Sequence, residues 1–166
     1  IPSFTKVAPT DTVTLTTDAT EAKGRADGGA TATANDSGAL KAALLAAVTP
    51  IYGADGEGTK TIGGYTLSVT GLSDTVTSVD SNLTSDGDPI MLSMIGTNVV
   101  VGMADGVEVF RITVNTDTGV VTLTQSEEID HGAPGTGTDA MIALGEQLVT
   151  LSATVTVTDG DLDQAP

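Results

Sequence analysis

The stretch DGVEVFRITVNTDTGVVTLTQ, residues 105–125, contains two strands and two turn signals. Asp105-Gly106 tolerates the positive φ angles of a type I′ turn and therefore predicts a hairpin. The strands VEVFRITV and VVTLTQ flank a second turn, NTDTG, which ends at Gly119. Because strands joined by such short turns pair antiparallel, this stretch predicts an antiparallel sheet.

The same pattern extends to both sides. YTLSVTGL (65–72) alternates polar and apolar residues, and PIMLSMI (89–95) leads through a tight turn at 96–98 into VVVGMA. QLVTLSATVTVT (147–158) is the longest predicted strand. Upstream, TVTLTT (12–17) predicts one more strand, whereas residues 18–38 are small, polar and glycine-rich and predict a loop. Alternation places two sets of apolar residues each on one face of a strand: Tyr65, Leu67 and Val69 on the first, and Val149, Leu151, Ala153, Val155 and Val157 on the last.

One helix is predicted within DSGALKAALLAAVTP, residues 36–50. Asp36 or Ser37 is its expected N-cap, and Pro50 ends the run. Seven or so strands with one short helix predict an all-β fold, an antiparallel β-sandwich that is Ig-like or related. Residues 1–10 are interpreted as a linker or the tail of a preceding unit, and residues 11–166 as a single sandwich domain.

The charge balance restricts the partners of this chain. It carries 22 acids against 6 bases, for a formal net charge of -16. Such a surface argues against nucleic acid and against anionic membranes, since both require a basic face. Like charge also opposes the compact state, so a cation that neutralises part of it would be linked to folding. No segment is apolar for long enough to predict membrane insertion.

Two residue classes are scarce. Cysteine is absent, which removes disulfides, zinc thiolates and a thiol nucleophile. Aromatic residues make up 2% of the chain, whereas sugar-binding sites usually stack sugar rings on aromatic faces. A cysteine-free, acid-rich β domain outside the cell needs another form of cross-link, and calcium is the expected one.

The segments ADGVEVFRITVNTDTGVVTLTQSEEIDH (104–131) and QLVTLSATVTVTDGDLDQA (147–165) resemble the tandem extender repeats of giant RTX adhesins. The sequence departs from that pattern at Leu162, where the family often has glycine, and after His131, where it often has proline. The resemblance implies a structural spacer in a secreted bacterial surface protein that is exported by type I secretion and acts in biofilms. It also implies calcium between domains, adjacent domains of the same polypeptide as partners, and a host or biofilm ligand for the full-length protein.

Two acidic motifs are the predicted metal ligands. Asp159, Asp161 and Asp163 follow the last strand at every second position, so an extended chain would project them to one side about 6.6 Å apart. A slight turn at Gly160 would bring two carboxylates and a carbonyl onto one calcium ion, which prefers oxygen ligands. The second motif, GADGEG (53–58), offers Asp55 and Glu57. The alternatives are a solvated terminus for the first motif and an ordinary acidic turn for the second.

Other acids are weaker candidates. The segments ADGG (26–29) and SDGDP (85–89), and the pair Asp18 and Glu21, have similar character, but exposed Asp-Gly turns explain the first two equally well. No enzyme is predicted, because the single histidine, His131, has no nucleophile motif and no pair of acids stands out from the rest. The alternative function is a carbohydrate- or protein-binding module of the same adhesin, using loops 53–58 and 126–140.

Overall fold

The computed structural model describes residues 3–6, 30–34, 37–51, 56, 58–130, 144–145, 148–160 and 164–165. These residues form an all-β sandwich with one short helix, which confirms the predicted fold class. The helix is α1 (Ser37–Ala46). The strands are β1 (Ser3–Lys6), β2 (Ala30–Ala34), β3 (Val48–Ile51), β4 (Thr59–Val69), β5 (Val79–Ser85), β6 (Asp88–Ile95), β7 (Val99–Ala104), β8 (Val107–Val114), β9 (Val121–Gln125), β10 (Val149–Thr158) and β11 (Gln164–Ala165).

The larger sheet is an antiparallel meander of β5 to β9, with β2 added beside β9. Its hairpins follow the local turn chemistry of the sequence. Asp105-Gly106 has φ angles of 46° and 78°, and Asp86-Gly87 has φ angles of 53° and 85°. Positive φ at both central residues is the type I′ conformation, so the predicted Asp105-Gly106 hairpin is confirmed. Asp86 likewise occupies a hairpin turn, in agreement with the turn interpretation of SDGDP.

The smaller sheet has the order β11-β10-β4 and covers one face of the larger one. Tyr65, Leu67 and Val69 of β4 are buried in the core, as their alternation predicted. They pack with buried side chains of the six-stranded sheet. Partly buried apolar residues of β10 pack against the same core. The outer edge of β4 is closed by turns of the large sheet, because the amides of Tyr65 and Leu67 donate to the carbonyls of Thr116 and Thr97.

Two short strands contradict the sequence-based assignment. β2 lies inside residues 18–38, which were predicted to be a loop, and pairs along its whole length with β9. Alanine has low strand propensity, so ATATA gives no local signal and the pairing with β9 decides its conformation. β3 includes Pro50, which was predicted only to end the helix; α1 ends at Ala46, and the chain then extends to pair with β1. The predicted strand at 12–17 and the predicted cap Asp36 lie outside the described residues.

Candidate metal centre

The C-terminal acidic motif begins at the buried end of β10. Asp159 follows Val157 at the spacing of the inward face, and the two residues are 2% and 0% exposed. The alternation that buries Val157 therefore carries a carboxylate inward as well. A buried carboxylate is costly unless it is hydrogen-bonded, ion-paired or bound to metal. Asp159 is thus a structurally integrated acid, which argues against the alternative of a solvated terminus at this residue.

The chain reverses direction between Thr158 and Gln164. Val157 pairs with Ala165 and Thr158 with Gln164, both antiparallel. The extended geometry expected for the acidic motif therefore ends at Thr158, because β11 must return alongside β10. Asp161 and Asp163 belong to the connection between these strands and lie outside the described residues.

The second acidic motif adjoins the same end of the sheet. β4 pairs with β10 over its length, and Thr59, its first residue, is opposite Thr158. Gly58 lies so close to the main chain of Thr158 and Asp159 that a Cβ atom at position 58 would overlap the Thr158 carbonyl. GADGEG therefore leads directly into the strand end beside Asp159. Asp55 and Glu57 themselves lie outside the described residues.

The two motifs supply the oxygen donors that a calcium ion prefers. Carboxylates and main-chain carbonyls are hard oxygen donors, and the five predicted acids lie within a few residues of Thr59 or Thr158 in the sequence. Among the described residues, no group of three or more His, Asp and Glu side chains is placed to hold a metal. Of the five predicted ligands, only Asp159 is described. No local signal relates the two motifs, since only the pairing of β4 with β10 connects residues about 100 positions apart.

Two described basic residues, Arg111 and Lys60, bond to other parts of the domain. Arg111 donates from Nε and Nη2 to the two carboxylate oxygens of Glu108 at 2.9 and 2.7 Å. This hydrogen bonding lowers the pKa of Glu108 and raises that of Arg111. Lys60 Nζ donates to the carbonyls of Leu45 and Val48 at 2.9 and 3.2 Å, which joins β4 to the end of α1. These contacts account for the conformations of the Arg111 and Lys60 side chains.

A different acid performs a structural task that the sequence did not reveal. Asp130 accepts hydrogen bonds from the amides of Asp86 and Gly87 at 3.0 and 2.8 Å, and its own amide donates to the Thr84 carbonyl at 2.8 Å. Ser85 Oγ donates to the Glu128 carbonyl beside it. Residues 128–130 are therefore fastened to the β5–β6 hairpin. A separation of 43 or 44 residues leaves no local sequence signal for these bonds.

The described surface also has an open depression of about 580 Å³ at the β8–β9 turn. It is lined mainly by threonine and asparagine side chains, including Asn98, Thr116 and Thr118, and by no aromatic residue. Such a lining provides no stacking face for a sugar ring. This depression therefore gives no specific support to the ligand-binding alternative.

Comparisons with known proteins give one match. A family described as a domain of unknown function, DUF5801, matches residues 10–166. No curated protein and no solved structure matches the chain. Within the described residues, no helix is both long and apolar enough to cross a membrane.

Proposed function

Starting from the premise that the chain belongs to the DUF5801 family, we propose that this domain is a structural spacer of a secreted bacterial surface adhesin of the RTX type and that calcium stiffens it. The observation that carries the proposal is the pairing of Thr59 with Thr158, which joins the two acidic motifs at one end of one sheet. A rigid β-sandwich with oxygen donors concentrated at a sheet end is suited to transmit force between neighbouring domains of one polypeptide.

Three further properties support this function. The net charge of -16 makes a bound divalent cation favourable for folding, because the ion offsets repulsion within the folded state. The absence of cysteine leaves metal as the available cross-link. Calcium is abundant outside cells and scarce inside them, so its sites would be empty during export and filled at the cell surface. No described cluster of side chains suggests catalysis, and we propose no enzymatic activity.

Thermal melting of the chelated chain with added calcium tests the metal site. Extracellular calcium modules bind with Kd values of about 0.1–1 mM, so about 10 mM calcium is up to a 100-fold excess. That excess stabilises the folded state by about 2.7 kcal/mol. For a domain of this length, we expect Tm to rise by about 5–10 °C, and magnesium at equal ionic strength should give a smaller rise.

Charge-matched variants locate the site. Asp159→Asn and Asp55→Asn should each remove most of the calcium-induced rise in Tm. Asp117→Asn removes the same charge from an exposed turn and should leave the rise intact. The change in Tm on adding calcium is compared within each variant, so general destabilisation does not affect the result. An unchanged Tm with calcium in the wild-type chain would remove calcium from the proposal.

The spacer role is tested separately from the metal. Glycan and protein arrays probed with the calcium-loaded chain should show no saturable binding, and antibodies to the domain should label the surface of intact producing cells. A specific array hit would favour the ligand-binding module instead. Labelling only after cell lysis would contradict the surface location.

A further inference from the structure

A strand outside the family domain completes the edge of a strand inside it. β1 pairs antiparallel with β3, with Ser3 opposite Ile51 and Lys6 opposite Val48. The family match begins at residue 10, so β1 precedes the domain and β3 belongs to it. In the described residues these two strands form a sheet of their own, separate from the two sheets of the sandwich.

The domain holds β3 in place by contacts that do not involve β1. The helix α1 packs against β3 as well as against β4 and β10. Lys60 Nζ donates to the Val48 carbonyl and thereby fixes the start of β3 to the three-stranded sheet. An isolated two-stranded pair is marginal in water, so these contacts provide the stability that a short added strand requires. The edge that receives β1 is therefore preformed.

Pro50 limits β3 to one partner. Successive residues of a strand direct their main-chain groups to opposite edges, and proline has no amide hydrogen. Pro50 lies opposite Phe4. When the main-chain groups of Thr49 and Ile51 are directed at β1, those of Pro50 are directed away from it, so the pairing of β3 with β1 loses no hydrogen bond. The same arrangement leaves the far edge of β3 without a donor at its third residue. The β3 strand is therefore suited to pair with one added strand, at the edge to which Thr49 and Ile51 direct their main-chain groups.

We propose that the β3 edge is a docking surface for a strand supplied from outside the domain, and that Ser3–Lys6 is its occupant in this chain. Recognition is through main-chain hydrogen bonds, as in other cases of strand addition. In a polypeptide with successive domains of this kind, the segment that precedes each domain would be fastened to the helix–β3 side of that domain. This inference requires neither calcium nor an adhesin, and it stands independently of the proposed function.

Strand replacement in the full chain tests the proposal. Thr5→Pro removes an amide hydrogen that is directed at β3 and should therefore release Ser3–Lys6 from the β3 edge. A labelled peptide of residues 1–9, IPSFTKVAP, should then bind the variant at least tenfold more tightly than it binds the wild-type chain, as measured by fluorescence polarisation. Equal affinity for the two proteins, or no binding to the variant, would overturn the proposal.

Two N-methylated peptides supply the matched control. N-methylation at Thr5 removes a donor directed at β3 and should abolish binding, whereas N-methylation at Phe4 removes one directed away and should preserve it. Similar loss from both would contradict the docking geometry. Amide exchange provides an independent readout: Thr49 and Ile51 should be protected in the wild type and exchange at least tenfold faster in Thr5→Pro, while Leu92 and Ile112 stay protected. Unchanged protection at Thr49 and Ile51 would also refute the inference.

Discussion

The Tyr65 side chain is almost fully buried in the core, yet its hydroxyl group has no hydrogen-bond partner among the described residues. It is 1% exposed, and no described residue lies within hydrogen-bonding distance of its hydroxyl group. Burial raises the pKa of this phenol above its ordinary value of about 10. The ring fills the core with apolar surface, while the hydroxyl loses its bonds to water and gains none from the part of the chain that the structure describes. Tyr65 therefore contributes to the fold through its ring alone.

Tyr65→Phe should be neutral or stabilising at pH 7, by up to about 1 kcal/mol, because it removes a buried polar atom that has no partner. The raised pKa adds a pH dependence. The pKa of Tyr65 is about 10 in the unfolded chain and higher in the folded one. Its contribution to the free energy of unfolding is therefore full below pH 10 and is lost as pH rises through the folded pKa, because the unfolded chain releases the phenol proton first. Urea unfolding at pH 7 and pH 11 should show a larger loss of stability in the wild type than in Tyr65→Phe. Equal losses would contradict this assignment.

At the scale of structural elements, Asp130 joins a connecting segment to a hairpin. Its two carboxylate oxygens each accept one amide of the Asp86-Gly87 turn. An amide side chain has a single oxygen acceptor, so Asp130→Asn should lose one of these bonds and destabilise the domain by about 1–2 kcal/mol. Faster amide exchange at residues 86 and 87 would identify the affected element.

Asp117→Asn is the control for this substitution. It removes the same charge from an exposed turn, and in a chain with a net charge of -16 it should be neutral or slightly stabilising. The two variants are thus expected to shift the unfolding midpoint in urea differently. A loss of stability of equal size in both would show that Asp130 acts through its charge alone.

The junction of β4 and β10 gives a second prediction at this scale. Gly58→Ala should destabilise the domain by about 1–3 kcal/mol, because its Cβ must displace the main chain of Thr158 and Asp159. It should also reduce the calcium-induced rise in Tm, although it changes no carboxylate. Gly63→Ala is the matched control, since a Cβ at position 63 has nothing within 4 Å. If Gly58→Ala kept the full calcium response, the strand end would not be part of the site.

At the scale of the whole molecule, 16 excess negative charges oppose folding. The Debye length falls from about 30 Å at 10 mM salt to about 8 Å at 150 mM, which screens this repulsion. Sodium chloride should therefore raise Tm over this range by a few degrees. Calcium at the same ionic strength should raise it further, because binding at a site adds to screening. Identical melting curves in the two salts would show that screening alone accounts for the effect.

The sequence by itself determined the features that arise from neighbouring residues. The Asp105-Gly106 turn follows from the φ angles that these residues tolerate, and the inward face of β4 follows from strict alternation. The helix likewise follows from local spacing, and α1 begins at one of the two predicted caps, Ser37. In each case the energy that fixes the conformation comes from residues a few positions apart or from a periodic apolar face.

Only the tertiary structure decided the features that depend on distant pairing. β2 is rich in alanine and β3 contains a proline; pairing with β9 decides the conformation of β2, and contacts with α1 and Lys60 place β3 where it can pair with β1. Asp130 accepts its hydrogen bond from the Asp86 amide across a long stretch of chain. The pairing of Thr59 with Thr158, next to the two acidic motifs, also joins positions far apart in the chain. Residue types alone predicted the chemistry of the acids, but strand register determines which acids share a location, because register is set by the packing of whole sheets.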